Sequence, residues 1–168
     1  MNKKKNTLLW KIESDQNNPS YIFGTMHVRD NKAFGYQLLA EQKIMECEVY
    51  AAEMNLDEIN QEVMADTMDL NQDISLSTLL KPKVYRRLEK LFLKQVGMPL
   101  AFFENSQPLM ITNLITESLL SVDTPHSLDA TLWQFAKEQQ KITVGIESFE
   151  EQIEILGEIS LDYQVKGL

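Results

Sequence analysis

Leu8, Trp10 and Ile12 recur at every second position, the period of a half-buried strand, and predict β-structure over 7–12. Residues 14–19, rich in Ser14, Asp15, Asn17 and Asn18, read as a turn. A second apolar, β-favouring run, Tyr21-Ile22-Phe23, leads to Gly24 and His27, so 7–27 predicts a hairpin whose second strand ends at His27. The period then changes. Leu38, Leu39, Ile44 and Met45 are spaced for a helix over 35–47, flanked by Glu41, Gln42 and Lys43. Glu48 to Met54 reads as a buried strand that runs out at Glu53.

The middle of the chain is helical throughout. Ile59, Val63, Met64 and Met68 mark a methionine-rich helix over 56–69, and methionines at this spacing fill cores more often than they build pockets. Pro82 suits the first turn of a helix carrying Val84, Leu88, Leu91 and Phe92, which Gly97 and Pro99 end. Pro108 precedes another helix through Ile111, Leu114, Ile115 and Leu119. This helical stretch reads as a cap over a sheet. Beyond it, Ser127 caps a helix over 128–140 with Leu132, Trp133, Phe135 and Ala136 as its apolar face. An apolar strand, Ile142 to Ile146, then ends at Glu147. Ser148 and Glu151 form a capping box at the start of the last helical pattern. The fold class is therefore α/β: a mixed sheet with an N-terminal hairpin and helical crossovers, plus a helical cap, in a single domain over 1–168.

Composition narrows the partners. Sixteen basic against twenty-five acidic residues give a net charge of −9, which repels phosphate backbones and argues against nucleic acid. The single cysteine, Cys47, excludes an internal disulfide and a cysteine-rich zinc site, and its neighbours Glu46 and Glu48 do nothing to activate it. Lys3-Lys4-Lys5 is followed by no apolar signal region, and no run approaches the length of a membrane span. The sequence as written places the protein in the cytoplasm; a trimmed N-terminus would instead fit a secreted or periplasmic one.

Three strands thus end at a side chain able to hold a proton or a metal: His27, Glu53 and Glu147. Read alone, Gly24-x-x-His27 fits a core histidine bonded to a carbonyl better than a ligand, and Glu53 can simply open an acidic loop with Asp57 and Glu58. Helical crossovers, however, make strands parallel and bring their carboxyl ends to one edge. There, one imidazole with two carboxylates suits a divalent ion such as zinc, manganese or cobalt, or serves without metal with a carboxylate as general base. His126, which lacks the glycine and precedes a helix, reads as a loop histidine.

Leu8-Leu9-Trp10-Lys11-Ile12, then Pro19 to Val28, Ala52-Glu53, Ala136 to Gln139, Val144 to Glu147 and Glu151-Gln152, taken in this order, resemble the TraB/GumN (TIKI-like) family. The resemblance implies an α/β core related to erythromycin-esterase and ChaN-like proteins. It implies a metal-dependent hydrolase, some members being peptidases, with His27, Glu53 and Glu147 as metal ligands and Glu53 and Glu147 as catalytic groups. It places Gly24, Thr25 and Gln152 against a peptide or protein substrate. Family members usually carry a second Gly-x-x-His motif nearer the C-terminus, which this sequence lacks. The resemblance therefore also allows an incomplete domain, a non-catalytic peptide- or protein-binding module, or a homodimer.

Overall fold

The alternating start of the chain forms an antiparallel hairpin in the computed structural model, which describes residues 7–15, 17–60, 63–64, 67–71 and 73–168. Strand β1 is Leu9–Ser14 and β2 is Asn17–Phe23, with Leu9 opposite Phe23, Trp10 opposite Ile22 and Lys11 opposite Tyr21. The register shifts between Ile12 and Ser14, so the turn expected over 14–19 contracts, and Asn17 to Pro19 already belong to β2. Gln16 lies outside the described residues.

Strand β2 stops at Phe23, four residues short of His27. Gly24 still donates its N–H to Leu8 O at 2.8 Å, but Val28 N–H then folds back onto Met26 O at 2.8 Å. That local bond takes the backbone out of the ladder before His27. The faces of the hairpin also differ from the simplest alternation: Leu8, Trp10 and Ile12 are each about half exposed. Tyr21 and Phe23 decide the orientation instead. Phe23 packs on the core, while the Tyr21 hydroxyl donates to Glu46 and Lys43 Nζ lies 5.2 Å from the Tyr21 ring centre.

After a 3-10 turn over Asn31–Tyr36, capped by Asp30, the chain runs through α1 (Gln37–Glu46) and β3 (Val49–Met54). The helical middle holds α2 (Leu76–Leu79), α3 (Pro82–Val96) and α4 (Pro108–Ser118). Then follow α5 (Leu128–Glu138), β4 (Ile142–Glu147), α6 (Phe149–Glu158) and α7 (Leu161–Gly167). The methionine-rich helix expected over 56–69 falls partly outside the described residues. Residues 56–60 are turn and loop rather than helix, and the helical bonds described start later, Met64 N–H to Asn60 O at 3.0 Å and Met68 N–H to Met64 O at 3.2 Å.

The domain expected over 1–168 is built as two compact units, residues 1–56 with 121–146 and residues 57–120 with 147–168. In the first, Ala40 and Ile44 of α1 meet Leu128, Leu132 and Ala136 of α5, with Phe23, Phe34, Tyr50 and Phe135 packed around them. The inward stripe of α1 is thus Ala40–Ile44, and Leu38 is turned out at 75% exposure. In the second, Leu76, Leu80, Leu88, Phe92, Leu100 and Ile111 form the core, and Phe92 meets Phe103 edge to face at 5.2 Å between ring centres. Pro82 opens α3, and Gly97 closes it in the left-handed conformation at φ 80°, as its position in the sequence predicts.

The described strands pair two and two, β1 with β2 and β3 with β4, rather than in one sheet. Ile142 N–H donates to Glu48 O at 3.1 Å, which sets the amino ends of β3 and β4 side by side, as a parallel pair requires. Neither strand is buried on both faces. Tyr50 leans on Trp133 of α5 at 6.2 Å between rings, whereas Val49, Ile142, Val144 and Ile146 face outward. Among the described residues no helix is long and apolar enough to cross a membrane.

Candidate functional site

His27 stands just past the β2 ladder, with more than half of its side chain exposed, so it is not a core histidine. Its Nε2 lies 3.5 Å from Glu53 Oε2, at the outer limit of a hydrogen bond. Glu53 is the fifth residue of β3 and points to the exposed face shared with Val49 and Ala51. The hairpin and β3 therefore bring together two side chains that lie 26 residues apart in the sequence.

The other ring nitrogen faces a residue that the sequence reading passed over. His27 Nδ1 is 3.1 Å from Oδ2 of Asp129, whose side chain is only 13% exposed. The separation is that of an ion pair, but the N–H is not aligned for a directed bond, and among the described residues Oδ2 has no hydrogen-bond partner. The second oxygen of Asp129, Oδ1, accepts from the Thr25 hydroxyl. Asp129 sits in the first turn of α5, after the Ser127 cap, where acidic residues are common because the helix dipole favours them. A second signal was available in the sequence. Asp129 lies three, four and seven residues before Leu132, Trp133 and Ala136, hence on the stripe that α5 buries.

Electrostatics follow the packing. The Asp129 carboxylate, then burial acting against it, then Glu53, set the His27 ring, whose pKa is pushed up to about 9. Burial alone would raise Asp129, but His27 and the Thr25 hydroxyl outweigh it and hold the carboxyl below its ordinary value. Burial, with the Asp129 charge behind it, raises the nearby Tyr50 phenol to about 12. The first unit thus sets the His27 ring between an exposed carboxylate and a buried one.

The remaining sequence candidates fall in two places. Thr25 touches Asp129, so its hydroxyl is already engaged inside the site. Gly24 is not in a left-handed conformation, and a Cβ there would meet Leu8 only at 3.9 Å, so neither backbone nor packing explains the missing side chain. Glu147 and Gln152 belong to the second unit, where the Gln152 amide donates to the Glu147 carboxylate and the Ser148–Glu151 capping box starts α6. His126 lies in the loop before α5, its carbonyl accepting from the Thr124 hydroxyl at 2.8 Å.

Whether this donor set suits a metal can be judged from its spacing. Two ligands at about 2.0–2.2 Å from one tetrahedral ion stand roughly 3.4 Å apart, close to the Nε2–Oε2 separation. Asp129 cannot join them on the same ion, because it faces the opposite nitrogen of the ring. Among the described residues no three His, Cys, Asp or Glu side chains converge to hold an ion. His27 and Glu53 thus fit two positions of a coordination sphere, with Asp129 behind the ring.

Residues 8–168 match the model of the TraB/PrgY/gumN family. No curated protein matches the chain, and no solved structure does.

Proposed function

The chain belongs to the TraB/PrgY/gumN family, and on that premise we propose that it is a metal-dependent hydrolase of peptides or proteins built on His27 and Glu53. The observation that carries the reading is the placement of His27 Nε2 and Glu53 Oε2, 3.5 Å apart, one in the loop after β2 and the other on the exposed face of β3. A bound zinc, manganese or cobalt ion would polarise a carbonyl and lower the pKa of a water molecule. The residues supply the rest. In the neutral ring Nε2 would offer a lone pair to the ion, Glu53 offers a ligand oxygen or a proton acceptor, and Asp129, bonded by Thr25, stands behind the ring.

Gly24 fits this reading as a place where an extended substrate backbone can lie close, since a methyl group there is excluded neither by φ nor by contact. Glu147 and Gln152 enter through the family resemblance, and so does the relationship to the erythromycin-esterase and ChaN-like core. The test is cleavage of a defined peptide pool with manganese, cobalt or zinc, with and without chelator. Metal-dependent cleavage should fall by about 10²-fold or more in His27→Ala and Glu53→Gln, with Glu147→Gln measured beside them. Peptide binding without cleavage, indifferent to chelator and to both substitutions, would replace the hydrolase with a binding module.

A further inference from the structure

The geometry points to Asp129 as the positioning residue of His27: a buried carboxylate that fixes the proton on Nδ1 and thereby leaves Nε2 as the nitrogen that meets ligand or substrate. The assignment deepens the reading of His27 given above and rests on it only in the meaning of Nε2.

Three observations carry it. Asp129 is buried, and a buried carboxylate is costly unless it is paired. One of its oxygens is fixed by the Thr25 hydroxyl, so the carboxylate cannot rotate freely to find another donor. The other oxygen has no hydrogen bond among the described residues and faces Nδ1 of His27 at 3.1 Å. The 3.1 Å separation is within the range of an Nδ1–H···Oδ2 bond. A carboxylate can only accept, so a neutral ring bonded to Oδ2 carries its proton on Nδ1, the 3.1 Å contact with buried Asp129 winning over the 3.5 Å contact of Nε2 with exposed Glu53. Nε2 is then the unprotonated nitrogen, free to meet a cation or a donor between it and Glu53. A helix-dipole role for Asp129 would require neither burial nor an aspartate on the apolar stripe of α5.

Thr25 gains a function in the same step. It is the second support, holding the carboxylate that holds the ring, and it lies two residues before the histidine that it orients. The motif Gly24-Thr25-Met26-His27 thus contains both the reacting group and one of its braces.

Nitrogen-detected NMR on the metal-free protein tests the assignment without any substrate. The chain has two histidines, and His126→Gln leaves the His27 ring as the sole imidazole signal. In alkaline solution, where the ring is neutral, the expected form carries its proton on Nδ1. In Asp129→Asn it should revert toward the ordinary Nε2–H tautomer. Thr25→Ala should give an intermediate mixture, and Thr25→Ser should restore the wild-type spectrum. If Asp129→Asn does not fold, the contrast between Thr25→Ala and Thr25→Ser decides. An Nε2–H tautomer in the parent protein, or a spectrum unmoved by these substitutions in folded protein, would overturn the assignment. Neither result depends on catalysis, so a failed hydrolase assay and a failed positioning role are told apart.

Discussion

Removing the Thr25 hydroxyl leaves Oδ1 of a buried carboxylate without its donor. Thr25→Ala should therefore destabilise the protein by about 1–3 kcal/mol in chemical denaturation, whereas Thr25→Ser should keep most of the stability. The charge pair beside it gives a second expectation, for pH. The folded value of His27 is raised from 6.5 to about 9, so its contribution is fully present below 6.5 and is lost as pH rises through about 9. Asp129 is lowered from 3.8, so its contribution is present above 3.8 and is lost as pH falls through the depressed value. Melting temperatures of wild type and Asp129→Asn should therefore converge between about pH 6 and pH 10; a constant gap would mean that the two side chains do not interact. The approach of His27 to Glu53 was legible in the sequence because each follows closely on a β-favouring run. Asp129 was not, since a carboxylate after a serine cap has an ordinary explanation and only its helical phase betrays burial.

Elements with covalent or capping signals came through best. Pro82, Gly97, Ser127 and the Ser148–Glu151 box stand where the sequence puts helix ends, because each signal acts on its own backbone within one turn. Gly97 holds φ 80°, so Gly97→Ala should cost about 1 kcal/mol in thermal or chemical unfolding, and Ser148→Ala a similar amount through the lost cap. No measurable change in either would show that these helix ends fray in solution. Which face an element buries was less legible. The outward Leu38 of α1 and the outward Trp10 of β1 are set by what packs beside them, and periodicity does not name the partner. The early end of β2 has the same origin: a local bond at Met26 that alternation does not encode.

Across the whole molecule, a net charge of −9 and two separate cores describe a chain whose sheets are small and whose strands keep an apolar face outward. The buried strand expected over 48–54 was read from an apolar run, which looks alike whether or not a second layer is present. Ile146 is 75% exposed, so Ile146→Lys should change stability by less than about 0.5 kcal/mol; a loss of several times that would mean that another chain or copy covers this face in solution. The helical middle and the α/β alternation after it were readable from period alone. The hairpin was readable too, but that β3 and β4 pair apart from it rather than in one mixed sheet was not, because that depends on contacts between distant segments.

The most direct test of the site is calorimetric titration of manganese, cobalt and zinc into wild type, His27→Ala and Glu53→Gln, with metal content checked by elemental analysis. Stoichiometric binding to wild type that either substitution abolishes is the predicted result. Binding that survives both substitutions, or no binding to wild type by any of the three ions, would contradict a metal site built on His27 and Glu53.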